Sequence, residues 1–217
     1  MKYHKLVNKQ FKKTVRLSES FDEKSVHQFR VQLRTLRTLL SFIEYDSSIS
    51  KKLRKIHREY SFLRDLDVLI NRWQQVKQPN QIQLLTHLLN LREQEAHKLQ
   101  QLNIKAKINK VWQSIDQEII ISDDYIDKKM NSWKKKLKKL DGDTYEELHR
   151  HRILSKKMRF MIQQLNLKDY DLKKYKKRQE QLGALVDNHV GLNILNSIEI
   201  DHPELSDEIN TFRKYLN

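Results

Sequence analysis

Val26-His27-Gln28-Phe29-Arg30-Val31-Gln32-Leu33-Arg34-Thr35-Leu36-Arg37 is the stretch that decides the fold. Turned at about 100° per residue, His27, Arg30, Arg34 and Arg37 share one narrow stripe, about 15 Å long at helical rise. Phe29, Leu33 and Leu36, continued by Leu40 and Ile43, fall on the face beside it. A core face adjoining a face of fixed cations is the pattern of an amphipathic helix, and strand alternation does not produce it.

Outward from this stretch the chain keeps the same character. Its 217 residues include only 3 Gly and 2 Pro, too few for the tight turns that a sheet protein of this length needs. The spacing predicts helices over 3–17, 24–45 (with Asp22 as a cap), 49–77, 81–101 and 104–120. Ser47 and Ser48 interrupt the pattern before the third, Pro79 ends it and Asn80 caps the fourth. Asp123 and Asp124 open a Lys-rich helix that stops at Asp141-Gly142. Helices over 144–166 and 169–197 follow, and Pro203 starts a short last one through Leu216. The expected fold is all-α, in a single domain over 1–217.

Lys and Arg number 43 against 28 Asp and Glu, a formal net charge of +15. The basic residues occur throughout the chain and not in one tail. Such an excess of one sign attracts nucleic acid, other polyphosphates or acidic membrane surfaces, and exceeds what solubility needs. Cysteine is absent, which removes disulfides and thiolate metal sites. The N-terminal residues carry no signal-like apolar core, and no apolar run approaches membrane-spanning length. A cytoplasmic protein that does not enter membranes is expected.

Displaced by 122 residues, the chain aligns with itself without a gap. His27, Arg30, Arg34 and Arg37 fall on His149, Arg152, Lys156 and Arg159. Lys51, Lys52 and Lys55 fall on Lys173, Lys174 and Lys177, Leu63 and Asp65 on Leu185 and Asp187, and Tyr3 on Tyr125. This predicts a duplicated three-helix unit, with repeats at about 3–77 and 125–197 bridged by 81–120. The second stripe again has a core face beside it: Leu148, Leu154, Met158, Ile162 and Leu165.

Like charges at these helical spacings repel and cost helix stability, so something should offset them. An anionic chain along the stripe would do so, since Arg grips phosphate oxygens bidentately and imidazole adds a hydrogen bond. Internal ion pairs with Asp65, Asp67 and Asp187 are the other answer, although one Asp cannot neutralise four cations. Arg64-Asp65-x-Asp67 reads as a support that orients Arg and His, with Asp187 as its counterpart.

The residues 26–37, together with Leu63-Arg64-Asp65-Leu66-Asp67-Val68-Leu69, resemble the first half of a CHAD domain, the conserved-histidine α-helical domain. Leu148 to Phe160 resembles its second half, and Gln181-Leu182-Gly183-Ala184-Leu185-Val186-Asp187 its closing motif. The resemblance spans nearly the whole chain. It implies a compact helical bundle with pseudo-twofold symmetry that binds inorganic polyphosphate in a basic groove or pore between its halves. The implied lining is the two stripes, extended by the Lys-rich segments at 51–55 and 173–177; association with polyphosphate granules is one setting it admits. Compact linkers, Lys where family members often have Arg, and Thr35 and Thr38 in the first helix depart from the pattern, so affinity or preferred chain length can differ.

Other signals are weaker. One His per stripe among cations is a poor place for a metal, and His149 and His151 diverge on a helix. Neither a Gly-rich phosphate loop nor a set nucleophile is present. Glu93-Gln94-Glu95 lacks the Lys of the triphosphatase Glu-x-Glu-x-Lys motif and lies on a helix. Trp73, Trp112 and Trp133 have core spacing and do not read as base-stacking platforms. The expectation is a non-catalytic polyphosphate binder without metal or cofactor, with nucleic acid as second choice of partner.

Overall fold

The structure is a computed structural model; it describes residues 2–76, 82–115, 118–140 and 144–216, without the side chains of residues 145, 178, 179 and 181–186. The expected stops at Pro79, Asn80 and Asp141-Gly142, and the side chains of the motif at 181–186, lie outside the described residues. The described elements are α1 (Tyr3–Leu17), α2 (Glu23–Phe42), α3 (Ser47–Glu59), α4 (Ser61–Trp73), α5 (Ile82–Gln100), α6 (Ile104–Gln113), α7 (Asp123–Lys138), α8 (Tyr145–Leu165), α9 (Leu172–Asp201) and, after a 3-10 turn at Pro203–Leu205, α10 (Ser206–Leu216). Among the described residues no helix is long and apolar enough to cross a membrane.

Helix starts follow the side chains that can cap them. Asp22 accepts from Ser25 N at 3.0 Å at the head of α2. Asp46, Ser122, Thr144 and Asp171 do the same for α3, α7, α8 and α9. Two expected spans change. The helix expected over 49–77 is two helices, because the chain leaves helical geometry at Tyr60 (φ −88°, ψ 5°). There the ring is fully buried against Phe29 and Phe21, with centroids 4.4 and 6.0 Å away, and its hydroxyl donates to Ser18 O at 3.3 Å. The span expected over 104–120 stops at Gln113, and residues 118–121 run back along the start of α1. Lys2 bridges Ile120 and His4 N donates to Ile119 O at 3.1 Å.

Two apolar cores organise the bundle. The larger gathers the inner faces of α1, α2, α3, α6, α7 and α8. Phe42 is fully buried at its centre, 6.5 Å from Tyr3, 6.1 Å from Tyr125 and 5.3 Å from Trp133; burying it contributes about 2–3 kcal/mol. Tyr3 on α1 and Tyr125 on α7 both donate to carbonyls in the last turns of α2, Leu39 O and Phe42 O, at 2.9 Å. The smaller core joins α4, α5, α9 and α10 around Trp73 and Phe212. Gly191 lets α9 approach: a Cβ there would lie 3.2 Å from Leu69 Cδ1 and 3.5 Å from Leu216 Cδ1. Helices α4, α5 and α9 run from one core to the other. Helix α2 touches α1, α3, α4 and α8, so its polar stripe is surrounded by the other basic helices.

Candidate anion-binding cluster

The core face of α2 fixes where its stripe can point. Phe29, Leu33, Leu36 and Leu40 are buried, and the adjoining face, with Arg30, Arg34 and Arg37 partly covered, turns toward α8 and the α3–α4 corner. Helix α8 buries Met158, Met161 and Ile162 and turns Arg152, Lys156 and Arg159 the same way. The charges of the two stripes therefore meet. Arg34 is pushed down to about 10 by burial and then by Arg30, Arg152, Arg37 and Arg159. Lys156 is pushed down to about 7 by burial, then by Arg34 and Arg152, with Asp187 opposing.

Partners within the protein are few. Arg30 Nη1 donates to His57 O at 3.3 Å and Ser61 Oγ at 3.0 Å, both at the Tyr60 break. Arg152 Nη2 meets Asp187 Oδ1 at 3.1 Å. Asp65 faces Arg30, and Glu180 acts on Arg159. Yet Arg37 Nε, Arg152 Nε, Arg159 Nε and His57 Nε2 are buried with no hydrogen-bond partner among the described residues. Buried donors of this kind are normally satisfied. Four such nitrogens lie in one cluster of cations, with no acceptor among the described residues.

Some expected residues sit centrally and others do not. Arg30, Arg34, Arg37, Arg152, Lys156 and Arg159 converge. His27 and His149 are exposed near the N-terminal ends of their helices, and burial followed by neighbouring cations lowers the pKa of each. Besides Arg34 and Arg30, His27 faces Arg64 and Glu23. Lys51, Lys52 and Lys55 are exposed on α3, and Lys173, Lys174 and Lys177 on α9. The cations of α3 that act on Arg37 are instead Arg54 and Arg58. Asp67 acts on Arg30 and is also held by Arg92, which enters from α5. Its Nε reaches Asp67 Oδ1 at 2.7 Å and its Nη2 reaches Phe21 O at 2.9 Å. Arg64 lies 3.8 Å from Asp67 and 3.2 Å from Glu23. This network ties α2, α4 and α5 together, so these two residues serve the fold of the corner.

Sequence reasoning missed His57, Arg54, Arg58 and Lys157. His57 is pushed down to about 2, first by burial and then by Arg30, Arg34, Arg37 and Lys156, so it is a neutral imidazole among cations. Lys157 is lowered by burial, then by Arg37 and Arg54, and lies 5.7 Å from the Trp133 ring centroid. The wheel of α3 does place Arg54 and Arg58 on one stripe, a signal available beside the denser Lys run. The other histidine of α8, His151, is buried with its Nδ1 3.3 Å from Ser155 Oγ, on a different face from His149. Among the described residues no group of His, Asp and Glu could hold a metal ion.

Three pairs of positions 122 residues apart lie near one another. Arg34 and Lys156 meet at the crossing of α2 and α8, and Asp65 and Asp187 act on one another between α4 and α9. Leu69 and Gly191 approach where α4 lies on α9.

The fold recurs in a solved structure, the crystal structure of the CHAD domain from the plant Ricinus communis, at a TM-score of 0.79. That alignment covers 99% of this chain and 83% of the other, at 20% sequence identity. No curated protein matches the chain. The family model of the CHAD domain matches residues 5–196, a span that takes in both stripes, the Asp65 and Asp187 pair and the cluster between them. The chain belongs to the CHAD-domain family.

Proposed function

We propose that this protein binds inorganic polyphosphate, without turning it over, in a basic groove where α2 and α8 of a duplicated helical unit meet. The observation that carries this is the set of buried, unpartnered nitrogens on Arg37, Arg152, Arg159 and His57. Each guanidinium Nε–H wants an acceptor, His57 Nε2 joins them when it carries the imidazole proton, and a chain with charge on every unit can serve them together. The pairs Arg34 and Lys156, Asp65 and Asp187, and Leu69 and Gly191 support the duplication, since equivalent positions of two repeats meet only near an axis relating them. Polyphosphate is favoured over nucleic acid because the donors are recessed, which suits a chain without sugars and bases. The tryptophans are also engaged in packing: Trp73 and Trp133 are buried, and Trp112 donates to Asn8 at 3.0 Å. Stacking platforms for single-stranded bases would need such rings exposed. A cytoplasmic setting, expected from the composition, suits this role.

The test is titration of long-chain polyphosphate into the protein at several salt concentrations. Tight binding that weakens steeply with salt is expected, because several cations release counterions together. The double variant Arg30→Glu, Arg152→Glu should lose binding while its circular dichroism stays helical; binding that survives the double variant would place the site elsewhere. RNA should be displaced readily by polyphosphate, whereas RNA that resists displacement favours the nucleic-acid reading. Incubation with polyphosphate and divalent metal should release no phosphate.

A further inference from the structure

Helices α1 and α3 each pack against both α2 and α6, so α2 and α6 take opposite corners of a four-helix arrangement. The groove lies on the α2 side, where α8 joins. The opposite side is α6 flanked by α1 and α3, and its charge is almost all of one sign. Helices α1, α3 and α6 carry five, five and three Lys or Arg, against Glu59 as the one acid within their spans. Helix α1 buries Tyr3, Val7, Phe11 and Thr14. That leaves His4, Lys5, Asn8, Lys9, Lys12 and Lys13 lining an open depression on its outer face. Trp112 Nε1 can only donate, and it reaches Asn8 Oδ1 at 3.0 Å, which leaves the Asn8 amide Nδ2 to the depression. Among the described residues Lys5, Lys9, Lys12, Lys13, Lys107 and Lys110 form no ion pair. Glu19, the first acid in the chain, is taken by Lys105 at 3.0 Å.

Helix α3 joins this face to the groove. On its wheel His57 and Arg54 lie on one flank of the buried Ile49, Leu53 and Ile56, and Lys52 on the other. The first flank meets α2, where Arg30 donates to His57 O at 3.3 Å, so Lys52 turns toward α6. We propose that the α3–α6–α1 face is a second polyanion site continuous with the groove. A long chain leaves the groove past Arg54, crosses α6 at Lys107 and Lys110, and ends along Lys5, Lys9 and Lys12. This rests on the polyphosphate reading of the groove. Polyphosphate is the occupant because the face continues the groove and the depression has only polar and charged side chains in its lining. Such a lining gives a membrane no apolar anchor and a base no exposed indole or phenol ring. Its cations are lysines, point charges on flexible stems that hold a chain without fixing its register.

The path from α3 over α6 to α1 takes two helix-to-helix steps of about 8–10 Å each. A chain that only fills the α2 stripe, about 15 Å long, cannot cover both places. Long chains alone contact the groove and the face together, and joining two contacts on one chain raises affinity. The face therefore sets the preference for chain length. The second repeat does not repeat it: Asp127 and Asn131 stand at the positions matching Lys5 and Lys9.

The test compares the full wild-type chain with the quadruple variant Lys5→Gln, Lys9→Gln, Lys12→Gln, Lys110→Gln. All four side chains are exposed, so circular dichroism should stay helical. Each protein is titrated with long-chain polyphosphate and with a short polyphosphate no longer than the stripe. The variant should bind long chains about tenfold or more weaker, with a salt slope shallower by about 3, for four lost charges at about 0.7 each. Its affinity for the short chain should stay within about threefold at about 0.1 M salt, where screening acts over about 10 Å. Unchanged binding of both chains would overturn the second site and leave the groove reading intact. Equal loss of both would also overturn it, since the lysines would then act on the groove itself. Loss of RNA binding with long-chain polyphosphate unaffected would assign the face to nucleic acid instead. A wild type that binds neither chain in low salt would overturn the polyphosphate reading, and the second site with it.

Discussion

Arg37 on α2 and Arg159 on α8 stand 122 residues apart at matching places, yet their neighbours carry opposite signs. Burial and then Arg54 and Arg58 lower Arg37, whereas Glu180, at the position matching Arg58, raises Arg159 against its burial. Two turns away the matching arginines differ in how they are held. Arg30 donates to a carbonyl and a hydroxyl, with Asp65 and Asp67 acting on it without a hydrogen bond, while Arg152 is ion-paired with the Asp187 carboxylate. Even the scaffolds differ. The chain breaks at Tyr60 between α3 and α4, with His57 partly buried just before the break, but α9 runs unbroken from Leu172 to Asp201. The two matching arginines thus meet neighbours of different charge, Arg54 and Arg58 on one side and Glu180 on the other.

Charge reversal at the centre should have the largest effect. Arg34→Glu faces both walls and should weaken polyphosphate binding at least about 100-fold in low salt, read by calorimetry. The comparison itself is sharpened by two single truncations. Arg37→Ala should cost about tenfold or more and Arg159→Ala only about threefold, because the second charge is already partly offset; equal losses would break the asymmetry. A smaller change of opposite sign is expected for Glu180→Gln, which should tighten binding by up to about threefold and lose that gain in high salt, since Glu180 is exposed. The smallest effect concerns the free protein. Folding lowers the proton affinity of Lys156, so the unfolded chain binds more protons from about pH 7 up to the ordinary lysine range. The melting temperature without ligand should rise by about a few degrees between pH 7 and pH 9, with Lys157, lowered likewise, adding in the same direction. A melting temperature that stays flat or falls over that interval would contradict the placement of Lys156.

The helices and stripes were legible because both follow from a period of 3.6 residues. Glu23 and Tyr145 begin α2 and α8 at the spacing that aligns the repeats. The Tyr60 break was not legible, since its cause is a pocket formed by Phe21, Phe29 and Ser18, residues distant in sequence. His57 was missed for the same reason: its burial and neutrality come from arginines on another helix. The Lys-rich segments were expected to extend the lining; which side of α3 faces α2 was not legible, because it depends on Ile49, Leu53 and Ile56 packing inward. The pairing of Asp67 with Arg92 was not legible, because Arg92 lies in the bridging segment, which no motif connects to Asp67.

A crystal structure with a short inorganic polyphosphate bound would test the shared groove most directly. Phosphate oxygens should lie between Arg34 and Lys156, within hydrogen-bond distance of Arg37 Nε, Arg152 Nε, Arg159 Nε and His57 Nε2. A chain held instead on the exposed lysines at 51–55 and 173–177, with those four nitrogens still unengaged, would contradict it.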